Sequence, residues 1–475
     1  MSTTEELLQA LIEGGTLDIE PRSRIEAYLK NCVDCCGCEG LPAPRSRVEA
    51  LLYKLAEVMA GGGSGGEGGG GDTEEIDLAA SVKNIIDTTG SAYYLFAGSF
   101  TYPKIRWDDE MVAKALHFNT TENALDLSFM FMYNRHITKV PVFDTGKVIA
   151  NTNYGLIGMF KQCEKLVEAP AINISRLGSA GYLGNTSSMF WECTSLKIVP
   201  PYDFSNVENI DYMFHKCTSL ETLPKFDLSS VATATYAFNG CSSLTTFPAI
   251  DISHIRNVSS MFNGCAALPA IPHCTINAVN GFQYLFANCK ALRNAEITIG
   301  DVPSQSVAGF LFYYCTALEE VTIHGHTNSA RGWFKGCTAL KKVIELDLRD
   351  AVHSTYGTGE VFANCTNLTE CWATNIVQSM QVGSGTAWGH LLTVDSLIHL
   401  IYECRDTGSL KTLTVGSANL AKLADVYVKT IDITDEMRAE DDLVDEKLPF
   451  VVCESTDEGA MLITQYVSLK NWKLQ

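Results

Sequence analysis

The amino-acid sequence predicts an α/β repeat solenoid, a right-handed stack of short parallel strands joined by turns and short helices. First, the pattern Phe-x-x-Cys-x-x-Leu recurs along the chain, with four successive intervals of 24 residues in its middle. Second, a period this short cannot enclose a core of its own, so each copy must bury its apolar face on its neighbours. Third, the segment after each Leu, such as ETLPKFDLSSV at 221–231, contains strand-forming residues. One strand per copy predicts a parallel sheet of about ten strands.

A phenylalanine and a cysteine three residues later anchor each copy. The pairs are Phe160 and Cys163, Phe190 and Cys193, Phe214 and Cys217, Phe238 and Cys241, Phe262 and Cys265, Phe286 and Cys289, Phe312 and Cys315, Phe334 and Cys337, and Phe362 and Cys365. Phe131 with Asn134 is an earlier, degenerate copy. We interpret these pairs as a structural ladder inside the stack.

The repeated cysteines have three alternative explanations: metal binding, disulfides or packing. Metal sites pair ligands at short spacing, and one cysteine per 24 residues does not. Disulfides need sulfurs that face each other and an oxidising compartment. The N-terminus, MSTTEELLQALIEGG, lacks the pattern of a secretory signal peptide. We therefore expect free cysteines that fill space as small buried hydrophobes.

Composition shifts divide the chain into five segments. Two similar sequences, PRSRIEAYLK and PRSRVEALLYKLAEV, predict short N-terminal helices, and GGGSGGEGGGG is typical of a flexible linker. TVDSLIHLIYECRDTG predicts a helix near the C-terminus, where the repeat stops and an α/β cap covers the end of the stack. The predicted segments are a helical module at 1–60, a linker at 61–71, an N-terminal cap at 72–130, repeats at 131–380 and a C-terminal cap at 381–475.

Charge and hydropathy exclude several classes of partner. The net charge of −20 disfavours nucleic acid, whose binding requires clustered Lys and Arg. No run of about 18 apolar residues occurs, so we expect no membrane insertion. With no signal peptide in the sequence, we also expect the chain to be made in the cytoplasm and to stay there initially.

The sequence shows no catalytic or cofactor motif, so we expect a protein that is not an enzyme and needs no cofactor. Four clustered cysteines, Cys32, Cys35, Cys36 and Cys38, are weak candidates for a zinc site, with packing as the alternative. His324 and His326 form an isolated H-x-H on a predicted strand. Since no third ligand lies near them in sequence, we interpret them as a pair that faces solvent.

Aromatic residues close to the repeated Phe form a candidate binding face, because aromatic rings with polar neighbours suit the recognition of sugars or proteins. The alternative is that these residues only cover the edge of the core. The candidates are Trp191, Tyr212, His215, Tyr284, Tyr313 and Trp333.

The consensus MFxxCxSLxxxPxxDxSxV resembles the BspA-like leucine-rich repeats of bacterial surface proteins and bacteriophage proteins. The resemblance covers about 125–375 and implies a leucine-rich-repeat-like architecture. The region 393–424, with SLIHLIYECRDTGSLKTLTVGSANLAKL, is similar to the segment that closes such arrays. PRSRVEALLYKLAE followed by polyglycine is similar to the front end of phage virion and tail-fibre proteins.

These observations lead to an expected function without catalysis. We expect a bacteriophage virion surface protein, a tail fibre or head fibre, that displays the repeat face to a host surface glycan or protein. The N-terminal helices would then contact other virion proteins, and homo-oligomer formation is left open. The alternative is a bacterial or protist cell-surface adhesin of the BspA type.

Overall fold

A computed structural model describes residues 78–89, 92–98, 107–117, 121, 126–145, 155–177, 184–246, 251–300, 308–349, 361–376, 380–382 and 391–403. Single-residue gaps interrupt some of these ranges, and five short strands are described beyond them. The chain forms two compact units, Met1–Leu220 and Glu221–Gln475. In both units the described repeats stack turn upon turn, which confirms the predicted repeat solenoid. The predicted segments 1–60 and 61–71 lie outside the described residues.

The described helices are few and short, and most strands pair in parallel. The helices are α1 (Leu78–Thr89), α2 (Asp109–Ala115) and α3 (Val394–Tyr402). The strands are β1 (Gly184–Asn185), β2 (Val207–Asn209), β3 (Cys274–Ile276), β4 (Asn294–Ile299), β5 (Glu320–Gly325), β6 (Lys342–Asp347), β7 (Glu370–Thr374), β8 (Met380–Val382), β9 (Lys411–Val415), β10 (Tyr427–Thr430), β11 (Phe450–Cys453), β12 (Met461–Leu462) and β13 (Trp472–Leu474).

Side-chain caps fix the N-termini of two helices. The Asp108 carboxylate accepts a hydrogen bond from the backbone N–H of Met111 at the start of α2. The Thr393 hydroxyl accepts one from the backbone N–H of Ser396 at the start of α3. Each bond satisfies a donor that has no partner inside the helix. α3 packs on β7, in the segment predicted to form the C-terminal cap.

Consecutive tight turns form the part of each repeat around its Phe. The residues two before and two after Phe adopt left-handed backbone conformations, as in Tyr284 (φ 56°) and Asn288 (φ 58°) around Phe286. Backbone N–H groups of one turn donate to carbonyls of the next: Phe262 N–H donates to Leu285 at 3.0 Å. The turns are thereby joined without regular strand geometry.

Regular strands follow the repeated Leu only in the later copies. β3, β4, β5, β6 and β7 form one parallel sheet in that order. In earlier copies, the described segment after Leu makes isolated bridges such as Glu168 with Ile198. Pro170, Pro200 and Pro224 lie in those segments, and proline cannot donate to a ladder of backbone hydrogen bonds. We expected a parallel sheet of about ten strands. Among the described residues, the sheet that follows the repeated Leu has five strands.

The core of each unit is a column of stacked phenylalanines. In the first unit, the rings of Phe96, Phe131, Phe160, Phe190 and Phe214 follow one another with centroids 5.0–5.4 Å apart. In the second unit, the corresponding distances are 5.4–5.9 Å, and all these rings are buried. Its members are Phe238, Phe262, Phe286, Phe312, Phe334 and Phe362.

The repeated cysteines are buried beside this column, and the eleven cysteines whose side chains the structure describes are all free thiols. Their sulfurs also make a contact that the sequence did not predict. The Cys193 thiol donates to the backbone carbonyl of Phe160 in the preceding turn at 3.0 Å. Equivalent bonds of 3.0–3.3 Å are made by Cys163, Cys217, Cys265, Cys289, Cys315, Cys337 and Cys365. The cysteines are therefore hydrogen-bond donors as well as filler.

The described part of the C-terminal segment has two further sheets. One is parallel with the order β13, β9, β8, and the other is antiparallel with the order β11, β10, β12. Among the described residues, no helix combines the length and the apolar character that a membrane-spanning segment needs.

Candidate functional site

In most described copies, three positions of the repeat turn carry the side chains that a partner could reach, although Ser260 and Ala287 at these positions are buried. The three positions lie two residues before Phe, directly after it and two residues after it. The position directly before Phe is buried instead. Its residue is apolar and inaccessible in the described copies, as Met189 and Met261 are. The geometry of the turn thus separates core residues from surface residues at fixed offsets.

In the first unit, these positions bring together a group that we call the first aromatic patch: Lys161, Trp191, Tyr212 and His215. The Trp191 ring stacks on Tyr212 with centroids 4.9 Å apart, and His215 meets it edge-on at 5.1 Å. Lys161 Nζ lies 4.0 Å from the Trp191 ring centre, a cation–π contact. Since Lys161 comes from the preceding turn and Tyr212 from the following one, much of the indole is covered.

Charged groups surround the first aromatic patch. The Glu192 carboxylate accepts hydrogen bonds from Lys216 Nζ at 2.7 Å and from Gln162 Nε2 at 2.6 Å. The bond from Lys216 is the main reason that the pKa of Glu192 is lowered. Burial, assisted by Lys216, lowers the pKa of His215 to about 4. His215 is therefore a neutral ring at pH 7, and only 9% of its surface is exposed.

In the second unit, a larger group forms the second aromatic patch: Tyr284, Phe310, Tyr313, Tyr314 and Arg331. Tyr284 stacks on Phe310 at 4.7 Å, and Tyr313 meets both rings edge-on at 6.1 and 5.4 Å. Tyr314 lies edge-on to Tyr313 at 4.5 Å and is 40% exposed. The Arg331 guanidinium lies 5.2 Å from the Phe310 ring centre. Burial, with a smaller contribution from Tyr313, raises the pKa of Tyr284.

A glycine makes room for the second aromatic patch. Gly332 lies two residues before Phe334, at a φ of +61°. A Cβ atom there would come within 2.6 Å of the Phe310 ring, which is closer than carbon atoms can approach without displacement. The absence of a side chain at 332 is therefore what lets the Phe310 ring lie flat over the next turn.

Trp333 does not belong to the predicted binding face. Its side chain is fully buried, and its indole N–H donates to the backbone carbonyl of Ala308. Trp333 occupies the position directly before Phe334, which points into the core in the other described copies. The remaining five predicted residues lie in the two aromatic patches.

Four residues that were not predicted complete the patches: Phe310, Tyr314, Arg331 and Lys161. Aligning the copies on Phe would have identified Phe310, because it lies at the same offset as Tyr284 and Tyr212. Arg331 and Lys161 reach the aromatic rings from neighbouring turns, a contact that the offsets alone do not indicate.

A polar cluster on the outer face of the five-stranded sheet could hold a metal ion. One ligand atom from each of His273, Glu296 and His324 lies within 4.8 Å of the other two. His324, predicted to be half of an isolated pair, thus has two companions from other turns. The other candidates, Cys32, Cys35, Cys36 and Cys38, lie outside the described residues.

Two family models match the repeats. A family described as Mycoplasma protein of unknown function, DUF285, matches residues 156–270 and 184–299. A family described as BspA type leucine rich repeat region (6 copies) matches residues 283–384. No curated protein matches the chain.

Solved structures with some similarity are leucine-rich-repeat proteins. One from T. pallidum is 24% identical to this chain, with a TM-score of 0.26. The match covers 36% of this chain and 76% of that one. A protein from Bacteroides ovatus is 17% identical, with a TM-score of 0.19 and coverages of 50% and 76%. A leucine rich cell surface protein from Faecalibacterium prausnitzii is 17% identical, with a TM-score of 0.25 and coverages of 55% and 79%.

TM-scores this low do not establish a common arrangement of whole chains. The range matched by the leucine-rich-repeat family contains the second aromatic patch and strands β4 to β7. Residues 283–384 of this chain match the family described as BspA type leucine rich repeat region.

Proposed function

We propose that this chain is a non-enzymatic recognition protein of the BspA type, displayed at a cell surface, whose second aromatic patch contacts the partner. The observation that carries the proposal is the clustering of three tyrosines, a phenylalanine and an arginine on one side of the BspA-type repeats. Repeat stacks commonly bind through such extended surfaces.

The packing of the rings in the second aromatic patch suits a role in binding. The left-handed backbone at Tyr284 and Phe310 belongs to the repeat turn, since it recurs at the same offset in the other described copies. Because the rings are already held in place by one another, binding would order few side chains.

The composition of the second aromatic patch favours a protein partner. Tyrosine and arginine are enriched among the residues that dominate the energy of protein interfaces. The patch offers broad aromatic area, phenol hydroxyls and one guanidinium, which suit an acidic or aromatic protein surface. A glycan partner remains the other outcome of the test below.

The experiment compares the full chain with a Tyr313→Ala/Tyr314→Ala variant for binding to a panel of bacterial and animal cells. Cells are untreated, protease-treated or periodate-treated. The proposal predicts binding that protease abolishes and that the double variant lowers by at least about tenfold. Tyr133→Ala, a half-buried tyrosine of the first unit, is the matched control. Loss on periodate treatment alone would identify a glycan, and equal binding by all three proteins would contradict the proposal.

Attachment to a virion is a narrower hypothesis that rests on the resemblance of the N-terminal segment. The family models found here match residues 156–384 and give that hypothesis no support. It predicts that residues 1–60, fused to an unrelated domain, enter phage particles while residues 72–475 do not. Exclusion of the fusion from particles would remove the virion hypothesis and leave the surface-protein proposal intact.

A further inference from the structure

Three neighbouring turns place two histidines and a glutamate on one face of the parallel sheet. His273 directly precedes β3, Glu296 lies in β4 and His324 lies in β5. His324 is in register with Thr298, two residues after Glu296. Because strand side chains alternate between faces, Glu296 and His324 project to the same side. Their sequence neighbours Ile297 and Ile323 project to the buried side.

The ligand atoms of this trio are close enough for one ion. All three lie within 4.8 Å of one another, and His324 Nε2 lies 3.0 Å from Glu296 Oε1. Tetrahedral zinc with ligands at about 2.0–2.2 Å has ligand atoms about 3.3 Å apart. The required movement is at most about 1.5 Å, which side chains on an exposed sheet face can make by small rotations.

A fourth residue holds the His324 ring in the orientation that a metal ligand needs. Glu345 Oε2 lies 2.7 Å from His324 Nδ1. With a metal ion on Nε2 in place of the present contact to Glu296, Nδ1–H would donate to the Glu345 carboxylate. Carboxylates that orient metal-binding histidines in this way are a recurring feature of metal sites.

The backbone at Glu345 is shaped for this contact. Glu345 has a φ of 58° and lies where the pairing of β6 with β7 shifts register, between Val343 and Leu346. Irregularities of this kind redirect a side chain and are frequent beside functional sites. Without the shift, strict alternation along β6 would set the direction of the Glu345 side chain. The left-handed conformation of Glu345 and the register shift are independent of the proximity of the three ligands.

We propose that His273, Glu296 and His324 bind one divalent ion of the zinc class, with Glu345 as the residue that positions His324. Two imidazoles and one carboxylate suit zinc and neighbouring transition metals better than calcium or magnesium, which prefer all-oxygen sets. A fourth position would be open to water or to a group of a partner. The ion would link the turns of β3, β4 and β5 on the exposed face of the sheet.

Zinc is titrated into the chelator-treated, untagged full chain by calorimetry, and thermal unfolding is measured with and without zinc. The parent protein for these measurements carries four substitutions that prevent zinc binding by the N-terminal cysteines: Cys32→Ser, Cys35→Ser, Cys36→Ser and Cys38→Ser. The proposal predicts one equivalent bound and a higher unfolding temperature with zinc. His324→Ala and Glu296→Gln should each lower the zinc affinity by about a hundredfold, and Glu345→Gln by about tenfold.

The matched control is His326→Ala, which changes the other histidine of the same strand region. It should keep the parental zinc affinity. Glu296→Gln is nearly isosteric and exposed, so its unfolding temperature without zinc reports whether the fold is intact. The proposal is overturned if the parent binds no zinc, or if His273→Ala and His324→Ala bind zinc as tightly as the parent.

Discussion

The thiol of Cys289 donates a hydrogen bond to the backbone carbonyl of Phe262, one turn earlier, at 3.3 Å. The same carbonyl accepts the backbone N–H of Cys265 at 3.1 Å, so both of its lone pairs are used. In an early copy, Asn134 takes the place of cysteine and donates its amide to Phe96 at 3.0 Å. A buried donor at this position is therefore the common feature, and sulfur is one way to supply it.

This donor role predicts the order of stability of two variants. Cys289→Ser keeps a donor and Cys289→Ala removes it, leaving a buried carbonyl with one bond fewer. We expect the alanine variant to lose about 1–2 kcal/mol and the serine variant to lose less. Chemical denaturation of both variants gives the order. If cysteine only filled space, the buried hydroxyl would make serine the worse of the two.

Burial predicts that the ladder thiols are inert in the native protein. It raises the pKa of Cys337 and of Cys371 to about 12 and that of Cys265 well above its ordinary value, so almost no thiolate forms at pH 8. Of seventeen cysteines, eleven are buried and free. Reaction with a thiol reagent should thus modify no more than six rapidly in the native state. All seventeen should react after denaturation without reductant, and a lower total would reveal disulfides.

The phenylalanine column predicts a large penalty for removing one ring. Phe286 is buried between Phe262 and Phe312, at 5.6 and 5.7 Å. We expect Phe286→Ala to lower the free energy of unfolding by about 3–5 kcal/mol. Tyr314→Ala, at a 40% exposed aromatic residue, is the control and should cost less than about 1 kcal/mol. Equal effects of the two changes would mean that Phe286 is not a core residue.

The buried imidazole of His215 predicts a loss of stability in acid. Its pKa is about 4 in the folded protein, against 6.5 without the protein environment. Between these values the unfolded chain binds the additional proton, so the stability contributed by His215 is complete above pH 6.5 and falls toward pH 4. Thermal unfolding from pH 7 to pH 4.5 should show a smaller decrease for His215→Gln than for the wild type. Parallel curves would contradict the assigned shift.

The sequence predicts well whatever repeats at a fixed offset. The Phe, Cys and Leu positions recur in sequence and are found in the core, because equivalent residues of stacked turns have equivalent surroundings. Trp333 was misplaced since its aromatic type was considered without its offset. The position before Phe is occupied by buried apolar residues such as Met213 and Leu311, which is the signal that would have placed it correctly.

Contacts between turns are harder to predict than contacts within them. His273, Glu296 and His324 are more than twenty residues apart from one another, and only the register of β3, β4 and β5 brings them together. The left-handed conformation of Glu345 has no sequence signal, because glutamate is uncommon there. The prolines that interrupt the early strands were visible in the sequence, and their effect on hydrogen bonding would have limited the expected sheet.

Stability and binding of Tyr313→Ala, measured together, decide whether the second aromatic patch is a recognition surface. If the patch recognises a partner, this change should lower affinity for cells at least about tenfold. The free energy of unfolding should then fall by less than about 1 kcal/mol, as for a partly exposed side chain. If the patch only covers the edge of the core, affinity should be unchanged and the free energy of unfolding should fall by more than about 2 kcal/mol. That result would contradict a recognition role for the patch.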